Sequence, residues 1–167
     1  MNHIQDIITK LELLPHPEGG YYKETYRSEG FISEYDLDDA IEGKRNYSTA
    51  IYFLLTSNTF SAFHRIKQDE MWHFYKGSPL KLHIISDSGE YSSVIIGNAI
   101  EKGEVPQFTV SARDWFASEV TENGDYTLVG CTVSPGFDFR DFEMPERDFL
   151  ISKFPQHSEI ITKLTRV

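Results

Sequence analysis

From residue 47 to residue 133 the chain breaks into short runs rich in Ile, Val, Phe, Tyr and Trp, with no long helical pattern between them. The runs cover residues 47–55, 61–66, 71–76, 80–86, 91–96, 107–110, 115–119 and 126–133. Between them lie TSN, KQD, KGSP, SDSG, GNAIEKGEVP and TENG, whose Gly, Pro, Asn, Asp and Ser residues favour chain reversal. Parallel strands would need crossovers of helical length, and none is available. Such a chain folds as an antiparallel sandwich or barrel. Aromatic residues make up 14% of the sequence, which suits the same outcome because flat side chains pack well on a pleated surface.

The flanks read differently. Ile4, Ile7, Ile8, Leu11 and Leu14 recur at helical spacing, predicting an amphipathic helix over residues 3–13 that Pro15 and Pro17 end. Gly19-Gly20 then marks a turn into an extended segment, with Tyr22, Glu24 and Tyr26 on one side and Tyr21, Lys23, Thr25 and Arg27 on the other. Residues 29–46 are acidic and read as a long surface loop. After residue 134, Pro145 in a first helical turn and Ser158 as an N-cap predict two short helices outside the β-body. The 167 residues suffice for one domain spanning 1–167, with a core over about 13–144.

A net charge of −10 argues against nucleic acid as a partner, since phosphates repel an acidic surface. The lone Cys131 excludes an internal disulfide and a multi-cysteine zinc site. No apolar run nears the ~20 residues that cross a bilayer, and the N-terminus does not read as a signal peptide. The expectation is a cytoplasmic protein with no membrane partner.

Chemistry concentrates in FHRIKQDEMWHFYKG, residues 63–77. Strand alternation puts His64 with Ala62 and Ile66, and Glu70 with Trp72 and Phe74, while His73 takes the opposite side from Glu70. A hairpin across KQD would bring His64 and Glu70 onto one inner wall, as a metal-binding or acid–base pair.

These residues resemble the first cupin motif, in which two histidines precede a glutamate and a later glycine. His64, Glu70 and Gly77 match it, Ile66 stands at the second histidine, and Trp115-Phe116 stand where the second motif would place its histidine. LLPHPEGGYYKETYRS, STAIYFLL, FHRIKQDEMWHFYKGSPL, WFA and LVGCTVSPGFDFRDFEM, in that order, closely resemble a small cupin-like subgroup of unknown function. The resemblance implies a double-stranded β-helix, or jelly roll, also seen in deoxysugar-nucleotide epimerases and auxin-binding proteins, and a homodimer. It implies no one reaction, because cupins host many.

With two of the usual ligand positions lost, His64 and Glu70 are the motif-matched metal candidates. A third donor would have to come from elsewhere, for instance His83 or His73, so a tightly bound metal is not the expectation and the cofactor stays unknown. The favoured reading is a cupin binding a polar small molecule, sugar-like or anionic, as a metal-independent isomerase or epimerase. His64 would be the base and Glu70 its orienting or complementary acid. Tyr22, Arg27, Trp72, Gln107 and Trp115 would shape the ligand site, Arg27 through its planar fork. A metal-dependent cupin enzyme with atypical ligands and a non-catalytic binding module remain alternatives.

Overall fold

A computed structural model describes residues 3–166. Helix α1 (His3–Lys10) precedes twelve strands. These are β1 (Leu14–Pro15), β2 (Tyr21–Arg27), β3 (Phe31–Ile32), β4 (Arg45–Asn46), β5 (Thr49–Thr56) and β6 (Phe60–His64). They continue as β7 (Asp69–Gly77), β8 (Leu80–Ile85), β9 (Tyr91–Ile96), β10 (Gln107–Val110), β11 (Trp115–Val120) and β12 (Tyr126–Ser134). Helices α2 (Arg147–Lys153) and α3 (Ser158–Lys163) close the chain. A six-stranded sheet runs β1-β2-β5-β12-β7-β10 and a four-stranded sheet runs β6-β11-β8-β9, all neighbours antiparallel. This is the expected jelly roll.

Strand β5 shows why its sequence is apolar without strict alternation. Phe53 and Leu55 point between the sheets, where they meet Trp72, Leu82, Phe116 and Val129. Leu54 points outward and is still fully buried, because α1 lays Ile4, Ile7 and Ile8 over it and Leu11, just past the helix, adds to the cover. The four-stranded sheet is covered likewise: Phe63, Ile85, Trp115 and Ala117 pack on its outer face against Leu150 and Phe154 of the α2 region and Ile161 and Leu164 of the α3 region. Sheets buried on both faces tolerate continuous apolar runs. No helix among the described residues is long and apolar enough to cross a membrane.

Several details depart from the sequence reading. Helix α1 ends at Lys10, and Glu12 adopts a left-handed conformation (φ 54°) that turns Leu13 back under the sheet. Residues 29–46 are anchored, carrying the β3–β4 ribbon and burying Arg45. Helix α2 starts at Arg147, two residues after Pro145, because Glu146 is still extended and takes the cap position without a side-chain hydrogen bond. Ser158 is already helical, and His157 takes the cap position. Finally, β6 and β7 do not form a hairpin: β6 pairs with β11, and β7 with β12 and β10, so the KQD turn carries the chain from one sheet to the other.

Candidate active site

The two sheets part at one end of the roll around a cavity of about 590 Å³. Its floor is ionisable, its inner walls are apolar, and Lys23, Glu24, Arg27 and Asp138 also line it. Strand β6 contributes His64, β7 contributes Glu70 and β12 contributes Cys131, while Ile51, Phe53, Ile66 and Val133 form the walls. His64 and Glu70 thus face one space from opposite sheets, a juxtaposition that jelly-roll closure produces and strand pairing does not.

Two further floor residues, His16 and Glu18, come from the turn between β1 and β2. The His16 N–H donates to the Gly20 carbonyl at 2.9 Å, and the Gly19 N–H to the His16 carbonyl at 3.0 Å. The Glu18 carbonyl accepts from the Ala62 N–H at 2.8 Å, tying the turn to β6. Gly19 (φ 114°) and Gly20 (φ 74°) occupy backbone conformations that L side chains rarely adopt. A Cβ at Gly19 would also lie 2.1 Å from the Phe60 carbonyl oxygen. Gly19→Ala is therefore expected to destabilise the fold by about 2–4 kcal/mol and displace Glu18. Urea unfolding checks the first part, and the His64 NMR titration checks the second.

The His64 Nε2 lies 2.9 Å from the Glu18 carboxylate, and its Nδ1–H donates to the Ala62 carbonyl at 2.7 Å. The ring packs against Phe116 and Phe142, with centroids 4.1 and 5.3 Å away. Both partners are buried. Burial disfavours the imidazolium, yet the Glu18 carboxylate outweighs it and raises the His64 pKa. Burial likewise opposes ionisation of Glu18, but the flanking imidazoles of His64 and His16 hold that carboxyl below its ordinary value. The result is a buried ion pair. Burial lowers the His16 pKa, and its Nδ1 accepts from the Glu18 N–H at 3.2 Å, so the neutral ring carries its proton on Nε2.

Glu70 behaves in the opposite way. It is 9% exposed, and burial, together with the Glu18 charge, pushes its pKa up to about 7 against the pull of His64 and a hydrogen bond with Cys131. The Cys131 thiol is itself pushed well up by burial and stays protonated. Two carboxyl groups on one floor are thereby separated in acidity, one held ionised and one exchanging its proton near neutrality.

The mouth is aromatic. Phe137, Phe139 and Phe142, from the segment after β12, pack edge to face, with centroids 4.9 to 6.4 Å apart. Asp141, between the last two, is clamped by Arg45 through two bonds of 2.7 Å and by the Gln68 amide at 2.6 Å. Arg45 also donates to the carbonyls of Glu42, Gly43 and Lys44. The long acidic segment and the aromatic mouth are thus pinned together from inside.

Of the ligand-site residues expected from sequence, Tyr22 and Arg27 line the cavity. Arg27 arrives there because a register shift between Glu24 and Tyr26 interrupts the alternation of β2 and leaves Tyr26 exposed. Its fork grips Glu24 at 2.9 and 2.8 Å, Asn46 at 2.8 Å and the Phe137 carbonyl at 3.1 Å. The other three lie elsewhere. Trp72 shares the inward side of β7 with Glu70, one pleat deeper, where the interior is packed solid. Trp115 faces the C-terminal helices, with the Arg65 guanidinium over its ring at 4.2 Å. Gln107 is paired with His73 on the outer face, 3.0 Å from its Nδ1. The carboxylate bonded to His64 is that of Glu18, whereas the sequence reading gave Glu70 the part of orienting or complementary acid.

The donor set does not fit a resident metal. Both His64 ring nitrogens are engaged, and Ile66 and Phe116 stand where further histidines were sought. His73 bonds Thr132, and His83 bonds Tyr91 and Glu119, all away from the cavity. Among the described residues no three His, Cys, Asp or Glu side chains are grouped to hold an ion.

The family Cupin_5, described as Cupin superfamily (DUF985), matches residues 5–145. The uncharacterized protein YML079W of Saccharomyces cerevisiae is 30% identical over 150 residues, 83% of this chain and 73% of that protein. A hypothetical protein from Leishmania major superposes with a TM-score of 0.90 at 37% identity, over 99% of this chain and 100% of that one. Protein SO0799 from Shewanella oneidensis gives 0.88 at 40% identity, over 99% of each. The oxalate decarboxylase of Bacillus subtilis, at 0.54 and 14% identity over 90% of this chain and 36% of that one, shares the fold.

Proposed function

This chain belongs to the DUF985 family of the cupin superfamily, and we propose that it is a metal-independent acid–base enzyme of the isomerase or epimerase kind, moving a proton on a small polar molecule held in the cavity. The observation that carries this reading is Glu70, a buried carboxyl at the cavity floor whose pKa is pushed up to about 7, beside a His64–Glu18 ion pair. A general acid–base group works best when its pKa lies near the working pH. Glu70 therefore takes the proton-exchanging role, and His64, bonded at both nitrogens, takes a supporting one.

In the forward step the Glu70 carboxylate removes a proton from a carbon next to a carbonyl group. The electron pair left behind moves onto the ligand oxygen. Glu70 becomes neutral as the ligand becomes negative, so the charge of the cavity is conserved. The His64 imidazolium provides a positive field for the oxyanion, and the surrounding phenylalanines keep water from screening it. Returning the proton to another face or another carbon completes an epimerisation or isomerisation.

The test begins with a thermal-shift screen of sugars, sugar nucleotides and sugar acids. Each compound that stabilises the protein is then incubated with it in D2O. The expected result is incorporation of a single solvent deuterium into the ligand, slowed at least about 100-fold in Glu70→Gln. A ligand that binds and never exchanges would instead favour a non-catalytic binding module.

A further inference from the structure

The acids and bases around the cavity do not balance evenly. Two basic side chains reach its wall, Lys23 and Arg27, and each is held by a carboxylate, Lys23 by Glu12 and Arg27 by both oxygens of Glu24. At the mouth Asp138 is gripped through two bonds by Arg140, at 3.0 and 2.8 Å. On the floor His64 is held by Glu18. His16 also lies beside Glu18, at 3.6 Å, and the Cys131 thiol stays protonated; Glu70, nine-tenths buried, has that thiol for a bonding partner and, among the described residues, no cation at ion-pair distance. An anion entering would find both wall cations already engaged and would be brought toward a buried carboxylate. A ligand bearing a hydrogen-bond donor would meet an acceptor, and a positive one would also meet the negative faces of Phe137, Phe139 and Phe142.

We propose that this cavity rejects anionic ligands and selects those whose buried end is a neutral or cationic hydrogen-bond donor, a hydroxyl or a protonated amine, anchored on Glu70. The substrate of the acid–base reaction is then an uncharged or amine-bearing polyol-type molecule, and carboxylates and phosphates are excluded unless their charge stays outside the phenylalanine rim. This replaces the anionic option that Arg27 suggested, because the guanidinium is already neutralised by Glu24. The inference rests on the acid–base reading only in taking this cavity as the ligand site. It does not conflict with an oxyanion forming during reaction, because that charge arises by transfer from Glu70 itself.

Benzylamine, benzyl alcohol and benzoate share one ring and differ in the charge of the group it carries, so they isolate the selection. Binding to the intact protein is measured by calorimetry and by chemical-shift changes of Cys131 and Phe142, at pH 8 and at pH 6. At pH 8 the amine and the alcohol are each expected to bind at least about tenfold more tightly than benzoate, since one charge at contact distance is worth more than that in a partly buried site. At pH 6, as Glu70 takes up its proton, and in Glu70→Gln at either pH, the gap between amine and benzoate should shrink several-fold. Benzoate binding as well as the amine at pH 8, a preference that Glu70→Gln leaves unchanged, or no binding by any of the three would overturn the proposal. Failure of deuterium exchange alongside the expected selectivity would strike the acid–base reading and leave this one standing.

Discussion

Glu70→Gln is expected to make the protein more stable at pH 8 while removing its chemistry. The sign follows from the two protonation states. An ordinary glutamate loses its proton near 4.5, whereas Glu70 in the fold holds its proton until about 7. Between those values the unfolded chain releases a proton that the folded chain keeps, so stability falls as pH rises and the loss is complete above about 7. A shift of that size corresponds to about 3 kcal/mol. Glutamine carries no such penalty and retains an amide oxygen that can accept from the Cys131 thiol. Relative to the wild type, Glu70→Gln should therefore gain about 3 kcal/mol on going from pH 4 to pH 8, or about 6–12 °C in Tm. Thermal melts of both proteins across that range check it. Curves that run parallel would show that Glu70 ionises normally. A buried group retained against stability is what a working acid–base site entails.

Arg45→Met carries the other large effect, and in the opposite direction. Arg45 and the side chain of Asp141 are almost wholly buried, and the fork of one meets both oxygens of the other. Methionine fills similar volume and leaves Asp141 with the Gln68 amide and, at 3.9 Å, Lys67. Removing one partner of a buried pair typically costs 3–5 kcal/mol, and the same loss is expected here. Arg45→Met/Asp141→Leu, which removes both charges, should recover a substantial part of it. Because Asp141 lies between Phe139 and Phe142, the single variant should also loosen the cavity mouth and weaken ligand binding. Urea unfolding of the three proteins decides the matter. A cost below about 1 kcal/mol for Arg45→Met would mean that the pair does not anchor this part of the fold.

The fold was legible because jelly-roll strands leave local marks. Gly, Pro and Asp at the turns bound residues 91–96 and 107–110, and both runs are strands with those limits. The site was legible in part. His64 and Glu70 sit in a run that the cupin resemblance singles out, and alternation sent His73 to the outside. Glu18 was missed because its partner is 46 residues away in sequence, and nothing in HPEGG marks a carboxylate directed inward. The available hint is chemical, an acid and a histidine fixed between a proline and two glycines. Arg45 was missed for a related reason: an acidic, irregular segment reads as solvated, and the carboxylate that buries its arginine is 96 residues downstream. Trp72 and Trp115 were misplaced because an aromatic ring looks alike in sequence whether it lines a cavity or fills a core. Arg27 reached the cavity through a bulge, which period-two counting cannot register.

The central claim is that one carboxyl on this floor exchanges its proton near neutrality beside a paired imidazolium. Carbon-detected NMR titration of the glutamate side-chain carboxyls and of the His64 ring, with Glu70→Gln and Glu18→Gln used for assignment, tests it most directly. The expected result is a Glu70 midpoint near 7, a Glu18 midpoint below that of an ordinary glutamate, and a His64 ring still protonated when exposed histidines have lost their charge. A Glu70 carboxyl that titrates with the surface glutamates, or a His64 ring neutral below pH 6.5, would contradict it.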